Sequence, residues 1–92
     1  MRYAIAIEPG DNQHAFGVVV PDLPGCFSAG DSLDEAMAQA REAILPHLEG
    51  LLGEGKAPPQ PGPVDTHAGN PDFKGWIWAI VEIDPEELSD AV

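Results

Sequence analysis

The residues most able to do chemistry are carboxylates: Asp22, Asp31 and Asp34, with Glu8 or Glu82. Carboxylates that converge can hold a divalent cation, which then activates water for phosphodiester hydrolysis. A sequence does not show convergence, and Asp31 and Asp34 have a simpler explanation in turn and helix-cap chemistry. His14, His47 and His67 are widely spaced, form no H-x-x-x-H pattern and have no cysteine at zinc spacing. Each reads as a surface residue, because no orienting partner is identifiable. Cys26 sits close to a helix start, where a thiol can be reactive. A buried, inert thiol is the commoner case. Ser28 lacks the G-x-S-x-G context of a strained nucleophile. No nucleophile-plus-base pair emerges, and no catalytic, metal or cofactor set is expected.

Charge narrows the partners. Sixteen acidic residues against four basic ones give a net charge of −12 over 92 residues. Direct binding to DNA or RNA needs Lys and Arg to neutralise phosphates, so nucleic acid is not expected as a direct ligand. A basic partner is expected, because opposite charge speeds its capture. The plainer alternative is that the charge only keeps a small protein soluble. A single cysteine excludes an internal disulfide and fits a reducing compartment. The first residues are too short an apolar run for a signal peptide, and no segment approaches the length of a membrane span. A cytoplasmic protein is expected.

The elements that would position these groups follow from periodicity. Residues 2–7 alternate Tyr3, Ile5 and Ile7 with Ala4 and Ala6, a strand whose alanine face something packs against closely. Residues 15–20 form a second strand that closes an antiparallel hairpin with the first, and residues 26–29 add a short third. From Ser32, apolar residues Leu33, Ala36, Met37, Ala40, Ile44, Leu48, Leu51 and Leu52 recur at helical spacing. Pro46 falls inside this run and predicts a kink or a break there. Residues 56–74, rich in Pro and Gly, carry the chain back to the sheet, partly as extended polyproline structure. Residues 76–83 form the last strand, apolar on both faces, with Trp76 and Trp78 pointing the same way. One face would meet the helix and the other a subunit. Residues 86–92 could add a helical turn. The fold class is α+β: a β-β-β-α-β domain with one helix on a mainly antiparallel sheet, and residues 1–92 make a single domain.

The most specific segment joins the second strand to the helix: Pro21-Asp22-Leu23-Pro24-Gly25-Cys26-Phe27-Ser28-Ala29-Gly30-Asp31-Ser32-Leu33-Asp34-Glu35-Ala36. Its prolines fix φ and remove two backbone donors. Ser32 and Glu35 make the S-x-x-E signature of a helix start. The segment is organised for shape, which favours recognition over catalysis.

With Met1-Arg2-Tyr3, Ala40-Arg41-Glu42-Ala43-Ile44 and Asn70-Pro71-Asp72-Phe73, this run resembles the HicB family of bacterial antitoxins over nearly the whole chain. The resemblance implies a partial ribonuclease-H-like domain without that fold's catalytic metal site. It also implies a partner, a small basic HicA-type toxin that cleaves mRNA, and a non-enzymatic role: covering the toxin's RNA-binding and catalytic surface. Asp22, Asp31, Asp34 and Glu35, grouped around the best-matched loop, are the expected toxin contacts. Trp76 and Trp78 are the expected oligomer interface of a homodimer or homotetramer. Many family members continue into an operator-binding segment. This chain stops at Val92 without a basic or helical extension, so no C-terminal DNA-binding domain is expected. Two other functions stay open at this point: a metal-dependent nuclease or hydrolase on a ribonuclease-H-like fold, and a stand-alone oligomeric module without a toxin.

Overall fold

The computed structural model describes residues 1–88. Strand β1 (Arg2–Glu8) has every residue from Tyr3 to Ile7 fully buried, alanines included. It can do so because it lies inside the sheet with cover on both faces. Strands β2 (Phe16–Val19), β3 (Phe27–Gly30) and β4 (Ile77–Glu82) complete a four-stranded sheet in the order β3-β2-β1-β4. All pairings are antiparallel, with Ala6 opposite Val19 and Trp78, and Ile7 opposite Val18 and Ile77. Side chains alternate along each strand. Tyr3, Ile5, Ile7, Val18, Val20 and Val81 therefore share the face that packs on the helix. Ala4, Ala6, Val19, Phe27, Trp78 and Ile80 share the opposite face.

Helix α1 (Leu33–Gly53) lays Ala36, Ala40, Ile44 and Leu48 on the sheet. Ser32 caps it, its Oγ accepting from Glu35 N at 3.1 Å. Only this half of the expected reciprocal box forms at Ser32 among the described residues. A complete capping box appears instead at Asp84 and Glu87, around the 3-10 turn Pro85–Glu87. Gly30 lets the helix start sit on β3, since a Cβ there would lie 2.4 Å from Ala36 N.

Of the kink or break expected at Pro46, the break does not occur: α1 runs through it as one helix. Pro46 is exposed, so the Glu42 carbonyl it cannot bond faces the water side. Ile44 and Leu48 hold the turns on either side against the sheet. Leu33 is also more exposed than its place in the apolar run implied, at 37 %. Arg41 bridges α1 to the end of β4, donating Nη1–H to Glu82 O at 2.8 Å and pairing with the Glu87 carboxylate. The expected turn over 86–92 falls partly on that 3-10 turn, and residues 89–92 lie outside the described residues.

Candidate functional site

The loop between β2 and β3 is two successive β-turns. Leu23 N bonds Val20 O and Cys26 N bonds Leu23 O, both at 3.0 Å, and Val20 N closes onto Cys26 O at 3.2 Å. Pro21 and Pro24 each occupy the second turn position, where a fixed φ is pre-set. Gly25, at φ +86°, supplies the positive φ that the second turn requires. This construction buries Leu23 and Cys26 in the core. Burial raises the Cys26 thiol pKa above its ordinary value, in line with the inert reading. Ser28 Oγ is buried with no hydrogen-bond partner among the described residues, so no base activates it.

The same two turns aim Asp22 at the long segment 56–74, which lies as a strap between Gly55 and Gly75, both at positive φ. Asp22 holds the strap with both oxygens. Its Oδ2 accepts from Gly62 N at 2.9 Å, and its Oδ1 accepts from His67 Nε2 at 2.9 Å. An ionised carboxylate can only accept, so the His67 nitrogen facing it carries the proton. The Tyr3 hydroxyl adds a third fastening, donating to Pro59 O at 2.7 Å. Burial, and then the nearby Asp22 charge, raise the Tyr3 pKa.

His67 is therefore not the partnerless surface residue expected from sequence. Its side chain is 19 % exposed, against 16 % for Asp22. It sits in a short helix, α2 (Asp65–Ala68), whose place in the strap depends on a bond 45 positions back along the chain. No local pattern marks that pairing.

Beyond α2 the strap brings its aromatic groups onto the far face of the sheet. His67 stacks over Trp78 with ring centres 6.5 Å apart. Phe73 meets Trp78 edge-on at 5.5 Å and Trp76 at 5.1 Å. Much of the apolar face of β4 that was expected to meet another subunit is covered by the chain's own Phe73 and His67. Trp76 and Trp78 remain half-buried, and Ile77 and Ile80 on the outer strand are 36 % and 37 % exposed.

The other expected contact residues divide between two places. Asp31, Asp34 and Glu35 are exposed around the start of α1. There Asp31 lines a polar cleft of about 360 Å³ with the β1–β2 turn, including Asp11 and His14. The backbone N–H of Gln13 and the His14 ring hold the Asp11 carboxyl below its usual range. Asp22 lies at the other end of β3, bound into the strap. Among the described residues no group of three or more His, Cys, Asp or Glu could hold a metal ion, and no helix is long and apolar enough to cross a membrane.

A groove of about 290 Å³ opens between the β2–β3 loop and the strap, walled by Val19, Pro24 and Phe27 on one side and His67, Asn70 and Phe73 on the other. Phe27 stands at its rim, 65 % exposed. Sequence reading missed the groove, since neither wall has a chemical motif and only the fold brings them together.

Residues 3–92 match the family described as HicB-like antitoxin of bacterial toxin-antitoxin system. A 14.9 kDa protein encoded in the rep-hol intergenic region of Haemophilus phage HP1 is 43 % identical over 88 residues, covering 96 % of this chain and 65 % of the phage protein. The antitoxin HicB of Burkholderia pseudomallei superposes with a TM-score of 0.86 at 35 % identity, covering 96 % of this chain and 67 % of that one. A chain of the HicA3 and HicB3 toxin-antitoxin complex superposes at 0.76 with 35 % identity, covering 92 % of this chain and all of its own length. The chain thus spans about two thirds of the length of the phage protein and of the Burkholderia antitoxin.

Proposed function

The chain belongs to the HicB-like family of bacterial antitoxins, and we propose that it is the antitoxin of a toxin-antitoxin pair. It binds a small, basic, HicA-type RNA-cleaving toxin and masks the surface that the toxin uses for RNA and catalysis. The observation that carries this reading is the distribution of charge. No lysine or arginine occurs between Arg2 and Arg41, a stretch that includes the β2–β3 loop and the exposed carboxylates at the start of α1. A surface shaped for phosphate is a surface that such a stretch can occupy. Asp31, Asp34 and Glu35 supply exposed charge at one end of β3, while Asp22 acts mainly by fixing the strap at the other. The HicA3 and HicB3 complex supports the choice of partner, since a chain in it shares this fold.

The role is non-enzymatic and cytoplasmic, where RNA and reduced thiols are found. Self-association runs through the outer side of β4, where Ile77 and Ile80 are exposed beside Trp76 and Trp78. An uncovered apolar outer strand invites pairing with a second copy. Sedimentation at micromolar concentration checks this, and a stable monomer rejects it.

The deciding experiment uses a purified small, basic, HicA-type RNA-cleaving protein. RNA cleavage by that protein is measured with and without the purified chain, alongside the chain alone with RNA and Mg²⁺. Stoichiometric inhibition by a chain that does not itself cleave RNA is expected. Undiminished cleavage with no complex formed would overturn the proposal.

A further inference from the structure

Three observations meet at the groove between the β2–β3 loop and the strap. Its walls are fixed before any partner arrives. Two proline turns shape one wall, and the bonds from Asp22 to Gly62 and His67 tie the other wall to it. Its lining is mainly apolar, and Phe27 projects from its rim on the outer strand β3. Its surroundings carry one sign of charge. Neither the stretch 3–40 nor the stretch 57–73 contains a lysine or arginine, while Asp22, Asp65 and Asp72 lie in the segments that form or border the walls. Lys74 is the nearest cation in sequence and follows Phe73 directly.

We propose that this groove seats one large apolar side chain projecting from a basic protein surface, with Phe27 as the main contact residue on this chain. A preformed apolar pocket with an aromatic rim is where binding energy concentrates, and charge around it guides approach. A second copy of this chain is a poor occupant, because acidic walls would meet acidic walls. Nucleic acid is repelled for the same reason. The occupant is therefore a basic protein, and the groove deepens the antitoxin reading on which it rests. The carboxylates at the start of α1 set how fast the partner arrives, and the groove sets how long it stays.

The test uses the same HicA-type protein in a catalytically silent form, with binding kinetics measured for the full chain and two variants. Phe27→Ser is exposed in the free protein, so its fold is checked by circular dichroism and expected to be unchanged. It should weaken binding by at least about tenfold, mostly through faster dissociation. Phe27→Leu should recover most of that loss. Hydrogen exchange in the wild-type complex should show new protection in residues 19–27 and 65–73. Wild-type binding that Phe27→Ser leaves unchanged, with protection elsewhere, overturns the groove and leaves the antitoxin reading standing. No binding by the wild type overturns both. A Phe27→Ser variant that loses self-association while retaining partner binding also overturns the proposal, because the groove would then be a contact between copies.

Discussion

His67 donates its Nε2 proton to Asp22 Oδ1 at 2.9 Å, joining residues 45 positions apart with both side chains largely out of water. The other Asp22 oxygen accepts from the Gly62 backbone. One carboxylate thus fixes both the Pro-rich part of the strap and the short helix after it, and through them the ring stacked on Trp78.

Asp22→Ala is therefore expected to lower stability by about 1–3 kcal/mol, because it leaves a buried imidazole and a backbone N–H without their acceptor. Urea unfolding measures the loss. Native-state hydrogen exchange should speed up at Gly62 and in residues 65–68 before it does so in β1. If exchange rises uniformly, or stability is unchanged, the strap is not held by this residue.

Ser32→Ala should cost about 0.5–2 kcal/mol through loss of the cap on Glu35 N. The readout is thermal unfolding monitored at a helix-sensitive wavelength. Toxin binding at saturating concentration should survive, because Ser32 anchors the element and does no chemistry.

Pro46→Ala should raise stability. Alanine restores a donor toward the Glu42 carbonyl and removes the ring clash, a gain of roughly 1–3 kcal/mol after allowing for the freer unfolded chain. The residue is exposed inside an unbroken helix, so no packing is lost. A lower unfolding midpoint would mean that the helix depends on the proline at this point.

How much of this was legible in the sequence depended on how local each cause is. Alternation in residues 3–7, helical spacing from Ala36 to Leu48 and the proline turns around Asp22 are each decided within a few residues, and the structure follows them. Pro46 did not break the helix because local propensity was outweighed by the apolar stripe on both sides of it. His67 was misread for the opposite reason: its partner lies 45 positions back along the chain, and nothing near Thr66 or Ala68 points to it. The alanines at positions 4 and 6 did signal a close neighbour. What covers that side of the sheet depends on the path of residues 56–74, which sets His67 and Phe73 against Trp78 beside Ala6 and which Pro-rich composition leaves undetermined.

Alkaline conditions should destabilise the fold through Cys26 and Tyr3. Burial raises the Cys26 pKa, and burial followed by the Asp22 charge raises that of Tyr3. A group raised in the folded state contributes stability that is complete below its unfolded pKa and is lost as pH climbs through the folded value. The unfolded values are about 8.5 for Cys and about 10 for Tyr, so stability should begin to fall near pH 8.5 and fall further near pH 10. Cys26→Ser should remove the first part of this decline, measured by urea midpoints from pH 7 to 11. In the native protein the Cys26 thiol should also resist a thiol-reactive dye at pH 8 that labels it at once in denaturant.

The exposed carboxylates at the start of α1 should govern how fast a basic partner is captured. Asp31, Asp34 and Glu35 face water, and exposed charges interact over about 8 Å at physiological ionic strength. Their main effect is therefore on the association rate, and it weakens as salt rises. Replacing Asp31 and Asp34 with Lys changes the net charge of −12 to −8 without touching the core, so the fold should persist. Association with a small, basic, HicA-type protein should slow, and its rate should depend less on salt, while dissociation changes little. Stopped-flow mixing at three salt concentrations distinguishes these effects. An unchanged rate and salt slope would place the steering charge elsewhere, with Asp65 and Asp72 beside the groove as the next pair to reverse.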